Sequence, residues 1–246
     1  MIGQYFMKIN VCDIEFDDLT PDEAVERGMA LLDTPGASYI VTPNPEIAWA
    51  CRRDAELKAI VNGADLVLAD GIGIVYGAKI LGRPMKGKVA GCDFILDMFA
   101  RMADTDKTVY LLGAKPGVAE KAAENLSSQF PGLKIVGTSD GYFKEDAPVV
   151  ERINAVSPDL LLVCLGAPKQ EKWMAANAER LDVRLMAGLG GSLDVFAGIV
   201  ERAPEKWQKL GLEWLYRLKK EPKRIKRMSV LPAFLISMVG RRIAGK

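Results

Sequence analysis

The chain has 246 residues and not one of them is histidine. That absence excludes Ser-His-Asp and Cys-His catalysis, imidazole general bases and zinc sites built on imidazole. Acid–base work must fall to Asp, Glu, Lys, Tyr or Cys. Cysteine is scarce as well. Cys12, Cys51, Cys92 and Cys164 are far apart and form no C-x-x-C pair, so they read as thiols of a reducing compartment. Long apolar runs are missing. The longest, Met228–Gly240, is interrupted by Pro232 and falls short of the roughly 20 residues a spanning helix needs. Met1–Met7 offers neither a basic start nor a long apolar stretch, so no cleaved export signal is expected.

Net charge is also nearly absent, at +1, but the sum conceals a division. Between Pro204 and Lys246 stand 12 basic and 3 acidic side chains, a local charge of +9 that leaves −8 for the rest. The tail also holds Trp207, Trp214 and the interrupted apolar run. Basic residues interleaved with Trp, Leu and Met suit a helix lying on a membrane surface; a solvated helix and a nucleic-acid contact are the other readings. Two regions follow: a body, residues 1–200, and a basic amphipathic appendage, residues 201–246.

What the body does contain is alternation. β-rich runs at Tyr39–Thr42, Asp65–Ala69, Thr108–Leu112, Leu133–Val136, Asp159–Leu165 and Val183–Ala187 are separated by helical patterns. One helix is expected after Pro45, running through Ala48 and Ala59. The unbroken apolar run at Asp159–Leu165 suits a strand buried on both faces. The class is α/β, a Rossmann-like, mainly parallel sheet flanked by helices.

Ligands of such sheets bind beyond the carboxyl ends of the strands. Those ends carry Thr42 and Asn44, Asp70 and Gly71, Gly113 and Lys115, Tyr142, Gly166 with Gln170 and Glu171, and Gly191. Glycine lets backbone N–H groups approach a phosphate, and a helix N-terminus favours its charge. A nucleotide or other phosphate ligand fits this pattern; tight strand-to-helix turns are the other reading. Asp70, directly before a glycine turn, is placed either to act as general base or to cap the next helix. Gly71-Ile-Gly73-Ile-Val-Tyr-Gly77 approximates a dinucleotide fingerprint, though no acidic residue closes a strand about 20 residues on. Asp104-Thr-Asp106 precedes a strand, at the wrong end of the sheet for the ligand, and reads as a surface turn. No acidic cluster suggests a metal, so a diphosphate would take its cations from the protein, with the tail as their supply. Gln170 and Glu171 suit hydrogen bonds to a sugar or base, or ordinary first-turn chemistry.

Taken together, Thr42-Pro-Asn-Pro-Glu46, Ala69-Asp-Gly-Ile-Gly73, Leu111-Leu-Gly-Ala-Lys-Pro-Gly117, Gly166-Ala-Pro-Lys-Gln-Glu171 and Gly190-Gly-Ser-Leu-Asp194 resemble the WecG/TagA/CpsF glycosyltransferases. In the tail, Arg202-Ala-Pro204, Gly211-Leu-Glu-Trp-Leu-Tyr-Arg217 and Glu221-Pro-Lys-Arg224 match as well. The resemblance covers about residues 8–230. It implies a peripheral enzyme at the cytoplasmic face of a bacterial membrane. That enzyme would move an N-acetylmannosamine-type sugar from UDP, with inversion, to the 4-hydroxyl of N-acetylglucosamine on undecaprenyl diphosphate. The product would be a teichoic acid linkage unit or another cell-wall polymer. It further implies Asp70 as base, Thr42 and Asn44 as pocket residues beside it, Gln170 in the sugar-nucleotide site, and Arg217, Arg224 and Arg227 over the diphosphate. Lys88 stands where the family pattern has arginine; it keeps the charge and loses the bidentate fork. No metal or other cofactor and no nucleic acid is expected, and self-association through the body is. An NAD(P)-dependent oxidoreductase and a non-catalytic membrane-binding module are the competing functions.

Overall fold

The computed structural model describes residues 7–220, 225 and 229–245, the side chains of 209 and 217 set aside. It opens with an antiparallel hairpin, β1 (Lys8–Val11) and β2 (Ile14–Asp17). The hairpin turns through Cys12 and Asp13, both with positive φ (59° and 66°), a conformation that Asp tolerates better than most residues. No strand is expected here from the sequence, because neither turn residue is the glycine that usually announces such a turn.

The main sheet consists of β3 (Ser38–Val41), β4 (Leu66–Val67), β5 (Thr108–Gly113), β6 (Lys134–Ser139), β7 (Leu160–Cys164) and β8 (Leu185–Gly188). All six pair in parallel, in the order β4-β3-β8-β7-β5-β6. Each lies where the β-rich runs predict, and every residue of β7 is buried.

Helices cover both faces. In chain order they are α1 (Pro21–Leu31), α2 (Pro45–Ala50), α3 (Ala55–Asn62), α4 (Ile72–Ile80), α5 (Gly91–Met102), α6 (Val118–Gln129), α7 (Ala147–Asn154), α8 (Lys169–Asn177), α9 (Ser192–Phe196), α10 (Glu205–Lys209), α11 (Glu213–Lys220) and α12 (Val230–Ile243). One apolar layer joins the hairpin to α2, α3, α4, α7, α8 and α12. The other joins α1, α5, α6 and α9. The single helix expected through Ala48 and Ala59 is two. Asp54 accepts from Leu57 N at 2.9 Å and starts α3 afresh, a side-chain cap outcompeting helix continuation.

The last helix, α12, seats on α4 and α2. Phe234 and Met238 on its inner side are fully buried in the first layer. Arg241 grips the hairpin turn, pairing both guanidinium ends with Asp13 at 2.7 Å. Ile236, Val239 and Ile243 point outward and are 72%, 46% and 83% exposed. No helix among the described residues is long and apolar enough to cross a membrane.

Candidate active site

A cavity of about 490 Å³ opens beyond the carboxyl ends of β3, β4, β7 and β8. It falls where α2 leaves β3 toward one face of the sheet and α9 leaves β8 toward the other. Thr42, Asn44, Asp70, Gly71, Lys88, Gly166, Gln170 and Gly191 all line it.

Local hydrogen bonds bring these residues together. Leu68 N donates to Val41 O at 2.9 Å and Asp70 N to Pro43 O at 3.3 Å, so the β3–β4 pairing runs on and sets Asp70 beside Thr42–Asn44. Val89 N donates to Ala69 O at 3.0 Å, which lays the Lys88 segment against Asp70 on its other side. Thr42 is buried and its hydroxyl donates to Gly188 O at 3.1 Å, locking the ends of β3 and β8 together. Asn44 caps α2, its Oδ1 accepting from Glu46 N and Ile47 N at 2.9 and 3.0 Å. Asp70 does not cap α4: the cap position is Gly71, with φ 101°, and no side chain bonds there.

Three helices of nine or more residues, α4, α5 and α8, begin at this cavity, and none carries a side-chain cap. Their first N–H groups and dipoles present partial positive charge to the space. Two cations reinforce it, Lys88 and Arg202. The Arg202 guanidinium pairs with Asp93 in the first turn of α5, while its Nε is buried with no partner among the described residues. Such a donor suits an anionic oxygen. From the sequence, Arg202 marks a resemblance and no role is assigned to it. Its signal is position: a lone arginine before Ala-Pro, where the body meets the basic tail. Ser192, Trp214 and Leu231 also line the cavity and also carry no assigned role.

Gln170 and Glu171 are 2% and 1% exposed. Gln170 Oε1 accepts from Gly190 N at 2.8 Å, and its Nε2 donates to Glu171 Oε1 at 2.9 Å. Burial pushes the Glu171 carboxyl above its usual range, against the opposing pull of the Gln170 bond and its own backbone N–H. Glu171 itself sits behind Gln170 rather than on the cavity wall.

Other candidates lie elsewhere. Gly113, Lys115 and Tyr142 stand at the ends of β5 and β6, away from the cavity, with Tyr142 68% exposed. Arg217 belongs to α11, whose neighbours Glu213 and Trp214 reach the cavity; its side chain lies outside what is described, as do Arg224 and Arg227 entirely. The glycine pattern from Gly71 to Gly77 is put to a different use from a dinucleotide fingerprint. A Cβ on Gly73 would fall 2.6 Å from Pro45 and 2.7 Å from Leu231, and one on Gly77 would fall 3.0 Å from Phe234. These two glycines let α2 and α12 pack closely on α4. Asp104-Thr-Asp106 is a surface turn, with Asp106 paired to Lys134.

Among the described residues, three carboxylates (Glu46, Asp70 and Glu213), two cations and three helix N-termini border one cleft of an α/β sheet, an arrangement suited to a group-transfer enzyme rather than to a module resting on its tail alone. Comparison with known proteins makes the class specific. The family model described as "Glycosyl transferase WecG/TagA/CpsF family" matches residues 9–246. A protein of Bacillus spizizenii named N-acetylglucosaminyldiphosphoundecaprenol N-acetyl-beta-D-mannosaminyltransferase is 36% identical over 208 residues, covering 85% of this chain and 81% of its own. Proteins of the same name from Bacillus subtilis and Staphylococcus aureus (strain MRSA252) are 35% and 34% identical, the latter over 93% of this chain and 91% of its own. The chain belongs to the WecG/TagA/CpsF family of glycosyl transferases.

Proposed function

We propose that this glycosyl transferase moves N-acetylmannosamine, or a closely related sugar, from UDP to the 4-hydroxyl of N-acetylglucosamine on undecaprenyl diphosphate. The names of the relatives support the acceptor and the sugar. The observation that carries the reading is the convergence of Asp70, Lys88, Arg202 and three uncapped helix N-termini on one cavity.

In a single displacement, the acceptor oxygen attacks C1 of the donor sugar from the face opposite the diphosphate, and Asp70 takes the hydroxyl proton. The C1–oxygen bond to the diphosphate breaks, its electron pair leaves with UDP, and the anomeric configuration inverts. Charge grows on the departing diphosphate, where fixed cations and N–H dipoles stabilise the transition state more than the ground state. Lys88 and Arg202 fill this role from the body, and Arg217, Arg224 and Arg227 join them from the tail. Supplied in this way, the reaction proceeds without a divalent metal.

The lipid carrier brings the enzyme to the cytoplasmic face of the membrane. The outward row of Ile236, Val239 and Ile243 supports α12 as the contact. In co-sedimentation with anionic vesicles, Ile236→Glu with Ile243→Glu reduces the bound fraction; unchanged binding would refute this contact.

The test of function is transfer to a short-chain lipid-diphosphate acceptor from a panel of UDP-sugars, with and without chelator. Transfer from UDP-N-acetylmannosamine that resists chelation is the expected result. No transfer from any UDP-sugar, or complete loss on chelation, would overturn the corresponding part of the reading.

A further inference from the structure

Glu171 occupies an unusual place. A glutamate in the first turn of a helix ordinarily lies in water, where it complements the helix dipole. This one turns inward and is 1% exposed. It lies near Cys51 at the end of α2: the Glu171 charge adds to the burial that pushes the Cys51 thiol up to about 12. One oxygen, Oε2, is buried with no partner among the described residues. Desolvating a carboxyl in this way costs stability, and an apolar side chain of similar volume would fill the space without that cost. Stability is therefore not what the carboxyl supplies.

What it does supply is an orientation. A glutamine amide has two ends of nearly equal shape, and only its partners decide which faces where. The Gly190 N–H needs an acceptor and takes Gln170 Oε1, while Glu171 Oε1 needs a donor and takes Nε2. The two bonds are mutually consistent, and both side chains are almost dry, so water does not compete for them. Nε2 lies 3.2 Å from where a Cβ on Gly188 would stand, at the end of β8. Gly190 has φ 55° and an open side toward the cavity.

We propose that Glu171 is a positioning residue of the donor subsite: its carboxyl fixes the Gln170 amide and, through it, the Gly190–Gly191 turn that borders the cavity. The inference rests on the cavity being the nucleotide-sugar site.

The test is a double-mutant cycle on the full chain, read as UDP affinity by calorimetry and as donor KM and kcat, with thermal melting alongside. Glu171→Gln keeps an acceptor oxygen for Gln170 and stays within about threefold of the wild type. Glu171→Met removes the acceptor and weakens UDP binding and donor kcat/KM by about tenfold, mainly through KM. Gln170→Ala does the same or more, and adding Glu171→Met to it causes no further loss, because the two act as one unit. A multiplicative double mutant, a Glu171→Met enzyme with wild-type donor kinetics, or a Glu171→Gln enzyme as poor as Glu171→Met would each overturn the proposal. If Gln170→Ala and Glu171→Met both leave UDP affinity intact, the nucleotide-site reading of this wall fails as well. If Gln170→Ala alone is damaging, that reading stands and only the role of Glu171 falls.

Discussion

The two halves of the sheet's carboxyl edge are built from the same materials and are not the same thing. Glycine turns follow β5 and β6 as they follow β4, β7 and β8. In the β5–β6 half the room made by glycine is taken by protein at Gly113 and Gly141, while a Cβ on Gly117 would meet nothing within 4 Å and that glycine borders no cavity. A Cβ on Gly113 would sit 2.3 Å from Cys164 O, and one on Gly141 2.9 Å from Leu165. Lys169 closes over this side, donating to Gly141 O at 3.2 Å and lying on the Phe143 ring. In the other half, a Cβ on Gly166 or Gly190 would meet nothing within 4 Å, and both glycines border the cavity. A glycine at a strand end therefore has two meanings. What its missing side chain would have touched, together with whether the turn borders the cavity, tells them apart.

The sharpest way to break the contrast is at Asp70. Asp70→Asn is expected to lower kcat by about 10² to 10⁴-fold, the usual worth of a general base, while UDP affinity measured by calorimetry holds. Near-normal turnover would remove Asp70 from its role. Arg202 and Lys115 test the two halves directly. Arg202→Met is expected to lower kcat/KM by about 10²-fold, the scale of losing one fixed donor to developing charge. Lys115→Ala, in the packed half, should stay within about twofold. Equal effects would mean that the cleft extends further along the edge than its walls suggest. Phe234→Ala asks whether α12 belongs to the cleft half. Truncating a fully buried phenylalanine costs about 3–5 kcal/mol, to be read from urea unfolding. A loss under about 1 kcal/mol would mean that α12 is a detachable cover.

The smallest effect concerns the Asp13–Arg241 pair. The Arg241 guanidinium holds the Asp13 carboxyl below its ordinary value of 3.8. A depressed carboxyl stabilises the fold above its unfolded pKa, and that contribution is lost as pH falls through the folded value. The melting-temperature gap between wild type and Arg241→Met is expected at pH 7 and should shrink toward pH 3. A gap independent of pH would assign the effect to packing instead.

Much of this is legible in the sequence. The six parallel strands announced themselves because β-rich runs bounded by glycine and proline are local signals. Asp70 was legible because a carboxylate before a glycine turn at a strand end has few places to point. The hairpin was not, since Cys12 and Asp13 adopt left-handed geometry without a glycine to advertise it. Nor was the choice between halves of the edge, which depends on side chains distant in sequence, such as Lys169 against Phe143. Arg202 was hidden among the other cations of the chain, and the inward turn of Glu171 was masked by its ordinary helical position.

The clamp between Arg241 and Asp13 joins the first hairpin to the last helix, and Leu231 of that helix helps wall a cleft that begins at Thr42. Translation therefore delivers the walls of this cleft far apart in time. Until α12 docks, the cleft lacks one wall and α4 keeps an uncovered apolar face, so folding of the sheet around Asp70 does not by itself complete the site.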